Sequence, residues 1–513
     1  MTAASAMHGP PLHAPYVAPM QRIPLSRRDR LLLCVWVCTL ATLLATSADA
    51  SDAPWMAREG LDVLRGSPLV HPDHWSWAPV ANPFVPTSPG WDVMLGAFWR
   101  LAGLPGLFIL SALSTAVTLA AVALASRALG AGMGATLTAT TAAALGSQPI
   151  LTPRGAAPAL AILIVAIVLS WRLLGARAAT LPTALGVAGI TAGSAYVGIW
   201  VHGSWTALAP GLGLAVATLA FASQGRPAAA RGLLALVAAV ASMVGAVAGP
   251  LGLGAWSNAA RVASVARGRI IEWAGVAQMG WGERTYWGAL AVVVILLAMR
   301  FRRSARADGA PLAAILLGGA AAAVLAGAFS QRFTPTAGLL APPVVAWVLA
   351  TPPARWAQWQ TRYERLRAAY WRPVPWLVLP ILVLGAGIGV AGQPWAEDPA
   401  LHLLPHGCHL FSSDGAAKSI PLLRPDVLVW FDGRQDYWGA ARIDADLAYR
   451  AAEGGQARVP TGTTCIMLGR RDADPLAAAL DHSTAWRRAG SSAAFTVWVP
   501  AAPRDLAPAA SGG

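Results

Sequence analysis

The sequence predicts a polytopic α-helical membrane protein with a small α/β domain at its C-terminal end. Of the 513 residues, 56% are hydrophobic and 12% are charged, and the mean hydropathy is +0.52. Soluble proteins carry about 25% charged residues. This composition excludes a cytosolic enzyme, a disordered chain and a disulfide-rich secreted module, and we expect no nucleic-acid partner despite the net charge of +14.

About eleven apolar stretches are long enough to cross the roughly 30 Å of hydrocarbon in a bilayer. They are 31–48, 105–126, 131–147, 157–174, 181–199, 206–224, 232–250, 285–300, 311–328, 335–351 and 374–392. The alternative for the first stretch is a cleaved signal peptide. Because Ala48 lacks a small-x-small cleavage pattern, we expect an uncleaved signal-anchor.

Arginine is concentrated in alternate loops between these stretches. By the positive-inside rule, this places the N-terminus in the cytoplasm and, after an odd number of spans, the C-terminus outside. The predicted organisation is a basic, partly disordered cytoplasmic segment 1–30, a transmembrane domain 31–392 with a large outside loop 49–104, an extracytoplasmic domain 393–501 and a disordered tail 502–513. Lys418 is the one lysine among 38 basic residues. With the abundance of Ala and Gly, this indicates a GC-rich bacterial genome and hence a bacterial plasma membrane.

The α/β prediction for the C-terminal domain depends on short apolar runs that alternate with helical patterns. The runs 408–411, 427–431, 465–468 and 495–499 are typical of strands, and 439–453 and 474–482 of helices. Cys408 and Cys465 lie on two of these strands in an oxidising compartment. We expect a disulfide, which would add about 4 kcal/mol of stability; two free thiols are the alternative.

Acidic residues directly after the first span are candidates for chemistry. Asp52 and Arg58 follow the span closely, and Asp73 lies between two histidines further along the loop. A carboxylate at the membrane surface can deprotonate an acceptor hydroxyl or hold a divalent cation. The alternative is that these acids solvate the loop or cap helices.

Four polar residues stand at the predicted outer ends of later spans, where the bilayer makes them unfavourable unless they face a cavity or headgroups. Arg154 and Arg332 lie on the side that is poor in positive charge, and a guanidinium suits a phosphate. Contact with ordinary phospholipid, or pairing with an acid, would satisfy them equally well. His202 and Glu272 occupy neighbouring outside loops.

The C-terminal domain contains one dense polar and aromatic segment after a predicted strand. Its notable members are Trp430, Asp432, Arg434, Asp436, Tyr437 and Trp438. Aromatic faces with flanking carboxylates suit sugar rings. They also suit a junction docked on the membrane domain, because Trp and Tyr favour the interface.

Several of these motifs occur in the order found in bacterial multi-pass proteins that resemble the GT-C class of glycosyltransferases. They are Asp52, Pro72-Asp73-x-Trp75-Ser76, Trp200-x-His202-Gly203-Ser204, Pro250-x-Gly252, Ile271-Glu272-Trp273 and Asp432-Gly433-Arg434-x-Asp436-x-Trp438. The resemblance implies a GT-C-like fold, a lipid-phosphate sugar donor and Asp52 as catalytic base, with Asp73 second. Val201 and Gly249 stand where the family has Asn, which removes polarity near the implied cavity.

The resulting prediction is transfer of a sugar from a polyprenyl-phosphate donor to an envelope glycan or lipid on the outer face. Asp52 would be the base, or a ligand if a divalent cation is used; the sequence identifies no cofactor beyond this possible cation. Arg154 and Arg332 would hold the donor phosphate, with Arg58, His202 and Glu272 also at the substrate. Trp430, Tyr437 and Trp438 would bind acceptor glycan, with Asp432, Arg434 and Asp436 beside them at the substrate. The alternative is a non-enzymatic envelope scaffold, or a lipid- or glycan-handling protein, with a degenerate GT-C fold.

Overall fold

The computed structural model describes most of the chain. The described residues are 25–47, 52–78, 80–176, 180–223, 226–267, 269–304, 309–350, 398–412, 417–452, 455–470 and 475–502. The predicted span 374–392 lies outside them, as do residues 1–24 of the predicted N-terminal segment 1–30 and all but the first residue of the predicted disordered tail 502–513.

The described part of the chain up to residue 350 is helical. The helices are α1 (Arg27–Ser47), α2 (Ala53–Leu64), α3 (Pro89–Ala128), α4 (Met133–Gly146), α5 (Ala156–Ala176), α6 (Leu181–Val201), α7 (Trp205–Ala222), α8 (Ala228–Val247), α9 (Gly254–Ala266), α10 (Trp281–Ser304), α11 (Ala310–Phe329) and α12 (Thr334–Ala350). Proline occupies the first turn of α2, α3, α6 and α11, where its missing N–H leaves no intrahelical bond unmade.

Eight of the described helices are long and apolar enough to cross a membrane, namely α3, α5–α8 and α10–α12. The prediction of a polytopic helical protein is therefore confirmed, whereas the count of eleven spans is not. The predicted span 131–147 forms α4, which has 14 residues and is about 21 Å long at 1.5 Å per residue, less than the hydrocarbon thickness. The predicted first span is helical as α1.

Helix α3 is divided by a kink. Gly103 has a φ of 60° inside the helix, and Pro105 follows it. Proline removes a backbone donor and clashes with the preceding turn, so the helix bends there. The predicted span 105–126 is the half after the kink, and the half before it packs along α2. Helices α2 and α3 can approach this closely because Gly60 has no side chain. A Cβ at this position would lie 1.8 Å from the carbonyl oxygen of Asp92.

The C-terminal region (residues 398–502) is built on a five-stranded sheet of order β2-β1-β3-β5-β4. Its elements are β1 (His409–Ser412), α13 (Ile420–Leu423), β2 (Leu428–Val429), α14 (Gln435–Ala451), β3 (Cys465–Gly469), α15 (Pro475–Asp481), β4 (Trp486–Ser491) and β5 (Phe495–Pro500). Strands β2, β1 and β3 are parallel, and β5 and β4 are added antiparallel. The predicted α/β region is confirmed; β4 and α13 were not predicted. A disulfide joins Cys408 and Cys465.

The sheet continues into the loop between α2 and α3. Ser76 forms a parallel bridge with Val429, whose N–H donates to the Trp75 carbonyl at 2.9 Å. The indole of Trp77 stacks on His409, with ring centroids 5.3 Å apart. The C-terminal region therefore lies on one end of the helix bundle, which we call the upper end.

Candidate functional site

Asp52 lies at the upper end, directly before α2. Its Oδ2 is 2.5 Å from Nη2 of Arg154, and its Oδ1 is 3.5 Å from Nζ of Lys418. The Asp52 side chain is 18% exposed, so this ion pair is partly screened from water but open to a ligand. Three segments far apart in sequence thus meet at one carboxylate. We call Asp52, Arg154, Glu272 and Lys418 the Asp52 cluster.

Arg154 joins Asp52 to a second carboxylate. Its Nη1 donates to Oε1 of Glu272 at 3.0 Å. Glu272 lies in a single 3-10 turn, Ile271–Trp273. Ser330, at the start of the loop after α11, holds the backbone of this turn, because its Oγ donates to the Glu272 carbonyl at 3.3 Å. The guanidinium of Arg332 lies 5.2 Å from the centre of the Trp273 ring. The two predicted arginines and Glu272 therefore occupy one surface.

His202 lies beside the two arginines at the end of α6. The Ser204 backbone N–H donates to its Nδ1 at 3.1 Å, so the ring proton of the neutral imidazole is on Nε2. Burial, together with the positive charges of Arg332 and Arg154, lowers the pKa of His202 to about 3. His202 is therefore neutral at physiological pH and adds a polar group, but no charge, to this surface.

Lys418 is the member of the Asp52 cluster that sequence reasoning did not identify as a site residue. It lies in the C-terminal region just before α13, and its side chain is 15% exposed. The one signal available was its type, since every other basic residue of the chain is an arginine. Nothing in its local sequence indicated that it would reach the start of α2.

The charges at this surface favour an anionic ligand. Arg154, Arg332 and Lys418 carry three positive charges against two negative charges on Asp52 and Glu272. Guanidinium and ammonium groups bind phosphate oxygens through charge-assisted hydrogen bonds. Among the described residues, there is no group of three or more His, Cys, Asp or Glu side chains that could hold a metal ion.

Asp73, the second predicted catalytic acid, lies elsewhere. Its Oδ1 accepts from Nη1 of Arg434 at 2.8 Å, and the Nη2 of Arg434 donates to Asp432 at 2.7 Å. All three side chains are fully buried. The charges of Asp432 and Asp73 raise the pKa of Arg434 above its usual range, although burial alone would lower it. We call Asp73, Asp432 and Arg434 the Arg434 network.

Aromatic rings enclose the Arg434 network. The guanidinium of Arg434 lies 4.2 Å from the centre of the Trp75 ring and 5.0 Å from that of Tyr437, and Trp438 Nε1 donates to Asp432 at 3.0 Å. Trp430, Tyr437 and Trp438 are at most 6% exposed. This is the arrangement expected of a docked junction, and these side chains have no part in the function proposed below. The side chain of Asp436 is not among those the structure describes.

Arg58, also predicted to bind substrate, connects α2 to the C-terminal region. Its Nε donates to Asp62 at 2.9 Å and its Nη1 to the Pro421 carbonyl at 2.9 Å. Although burial opposes it, hydrogen bonds from His74 and Arg58 lower the pKa of Asp62 to about 2. Arg58 is thus a docking contact one to two turns from Asp52.

Comparison with known proteins shows the fold class. No protein-family model and no curated protein sequence matches the chain. Among solved structures, it is similar to the oligosaccharyltransferase AglB from Archaeoglobus fulgidus in complex with an inhibitory peptide and a dolichol-phosphate, with 11% identity and a TM-score of 0.53 over 86% of this chain and 69% of AglB. ArnT from Cupriavidus metallidurans bound to undecaprenyl phosphate gives 14% identity and a TM-score of 0.51 over 92% of this chain and 98% of ArnT.

The fold is GT-C-like. With eight long apolar helices in the part that the structure describes, the chain is a multi-pass membrane protein. At 10–14% identity, this likeness concerns the arrangement of the backbone. The GT-C-like fold gives no role to any one side chain, so the roles of the Asp52 cluster depend on its own geometry.

Proposed function

We propose that this protein transfers a sugar from a polyprenyl-phosphate-linked donor to an envelope glycan or lipid at the outer face of a bacterial plasma membrane. The N-terminus is cytoplasmic in this proposal, and the C-terminal region is extracytoplasmic. The observation that carries the proposal is the Asp52 cluster. The Asp52 carboxylate pairs with Arg154 and Lys418 at the upper end of a GT-C-like helix bundle, and Arg154 and Arg332 act on the neighbouring His202.

The donor phosphate binds to the cations of this surface. Arg154 and Arg332 are the two guanidinium groups near His202, and each suits a phosphate oxygen. The polyprenyl chain remains in the bilayer, which explains why a catalytic site would stand at the end of a helix bundle. Solved structures of AglB and ArnT with dolichol-phosphate and undecaprenyl phosphate support a ligand of this class.

Asp52 then serves as general base. An acceptor hydroxyl loses its proton to the Asp52 carboxylate as its oxygen bonds to the anomeric carbon. The bond from that carbon to the phosphate oxygen breaks, and its electron pair leaves on the polyprenyl phosphate, whose charge Arg154 and Arg332 stabilise. In the structure Arg154 is paired with Asp52, and a bound phosphate draws the guanidinium away so that the carboxylate can accept a proton.

An envelope scaffold is the second candidate, and one observation favours it. Of the candidates for binding glycan, the side chains that the structure describes are buried in the Arg434 network and its surrounding rings, namely Trp430, Asp432, Arg434, Tyr437 and Trp438. These residues hold the C-terminal region on the bundle, as they would in a protein that only presents this region to a partner. The scaffold predicts that the Asp52 carboxylate is dispensable.

Mass spectrometry of envelope glycans and lipid-linked sugars in a deletion strain separates the two candidates. The strain is complemented with wild type, Asp52→Asn or Asp444→Asn. Asp444 is the matched control because it also pairs with an arginine, Arg269 at 3.0 Å, but is 56% exposed and belongs to helix α14 of the C-terminal region. We expect wild type and Asp444→Asn to restore a missing sugar and Asp52→Asn to fail at equal protein level. Restoration by Asp52→Asn would contradict the transferase.

A further inference from the structure

The single lysine of the chain reaches the Asp52 cluster from the C-terminal region. Lys418 Nζ lies 3.5 Å from Asp52 Oδ1, and only 15% of the lysine side chain is exposed. Arg154 and Arg332 belong to loops of the helix bundle, whereas Lys418 arrives there only because the C-terminal region is docked. The positive charge of this surface is therefore supplied by two separate parts of the fold.

The turn Asp432–Arg434 connects the docking contacts with Lys418. Arg434 and Asp432 belong to the buried Arg434 network. Gly433 between them packs on the lysine stem, since a Cβ on this glycine would lie 2.8 Å from Lys418 Cγ and 2.7 Å from Trp55 Nε1. Trp55 lies three residues after Asp52. One turn thus contacts the first loop, the stem of the lysine and the start of α2.

We propose that Lys418 is a ligand of the donor phosphate and that docking of the C-terminal region through the Arg434 network places it there, which couples docking to donor binding. The inference rests on the proposed function because it names a further ligand of the same phosphate. Without docking, Lys418 leaves this surface. The two positive charges of Arg154 and Arg332 then only balance the negative charges of Asp52 and Glu272, so the surface has no surplus positive charge. An anionic lipid then binds with weaker electrostatic attraction.

Because Lys418 is the one lysine of the chain, acylation of its amine reports on this position alone. An amine-acylating ester is applied to the full chain in phosphatidylcholine nanodiscs, and the rate of Lys418 acylation is measured by peptide mass spectrometry. Undecaprenyl phosphate is the probe, and undecaprenol and inorganic phosphate are its controls. Binding of each is measured separately by native mass spectrometry. At a concentration ten times Kd, about one site in eleven is free, so undecaprenyl phosphate should slow acylation about tenfold. The two controls should leave the rate unchanged.

Variants test the ligand and the coupling separately. Lys418→Met should weaken binding of undecaprenyl phosphate about tenfold, which is the loss of one charge-assisted hydrogen bond. Lys418→Arg should retain binding, and so should Arg458→Met, which removes an exposed charge from the same region. Arg434→Met and Gly433→Ala leave Lys418 in the chain, yet they should abolish its protection by the lipid.

Each outcome has one meaning. If wild type binds undecaprenyl phosphate and Arg154→Met weakens that binding while Lys418 is not protected, the inference fails and the proposed function stands. Equal protection by undecaprenol overturns the phosphate as the ligand, and protection by inorganic phosphate alone overturns the lipid. Full protection in Arg434→Met overturns the coupling to docking. If wild type does not bind undecaprenyl phosphate, the proposed function itself fails.

Discussion

Replacing Arg434 with Met should undock the C-terminal region. Arg434 is fully buried between Asp73 and Asp432, which are also fully buried. Removing the cation leaves two buried carboxylates without compensation, and breaking a buried ion pair in this way costs about 3–5 kcal/mol. Because about 1.4 kcal/mol corresponds to a factor of ten, the opening equilibrium should rise by about two to four powers of ten.

Hydrogen exchange of the full chain in nanodiscs measures this opening, since exchange in a structured segment reports its local free energy of unfolding. Faster exchange is expected at Val429, whose N–H donates to the Trp75 carbonyl, and at Trp77, whose N–H donates to the Val429 carbonyl. The control Arg458→Met removes an exposed charge and should change the free energy by less than about 0.5 kcal/mol.

A compensating variant tests the physical reason. Replacing Arg434 with Met, and both Asp73 and Asp432 with Asn, removes the unpaired charges along with the cation. Apolar or neutral replacements of whole buried ion pairs are often close to neutral in stability, so most of the lost protection should return. An Arg434→Met protein that exchanges like wild type would refute the view that this network holds the C-terminal region.

Three further changes test packing, the disulfide and the pH response. Gly60→Ala forces a Cβ into the α3 backbone and should lower stability by about 1–3 kcal/mol, whereas Gly189→Ala, which meets open space, should not. Replacing Cys408 and Cys465 with Ser should lower the free energy of opening of β1 and β3 by about 2–4 kcal/mol in hydrogen exchange. Because the folded pKa of His202 is about 3, unfolding takes up a proton between pH 3 and about 6.5, so stability falls as pH falls through that range. In thermal unfolding, His202→Gln should flatten this slope by up to about 1.4 kcal/mol per pH unit at pH 5.

Polar residues at the ends of apolar stretches indicated where a site could form. In a bundle of membrane-spanning helices, the end of one helix and the start of the next lie on the same side, so residues at these ends can come together. Asp52, Arg154, His202, Glu272 and Arg332 all lie at ends that the loop pattern assigned to one side. They converge in the structure as direct or electrostatic neighbours. The sequence could predict their side of the bundle, whereas their distances depend on packing.

Contacts that depend on docking were not predictable from local sequence. Asp73 and Arg434 are 361 residues apart, and each alone reads as an ordinary polar residue near aromatic rings. Lys418 reaches Asp52 through the same docking. Strand β4 was missed for a different reason. It is an edge strand whose Arg487 and Arg488 are exposed, so it lacks the apolar alternation that identifies a half-buried strand.

Helix α2 carries both the proposed base and the docking contacts. Asp52 stands at its start, Trp55 contacts the Gly433 turn, and Arg58 donates to the C-terminal region. Because α2 packs against the backbone of α3, it is a rigid support. It holds Asp52 directly, and it holds Lys418 in position through its contacts with the C-terminal region. If Arg434→Met opens the C-terminal region while the lipid still protects Lys418, then Trp55 and Arg58 hold that lysine. In that case α2, and not the Arg434 network, links the C-terminal region to the site.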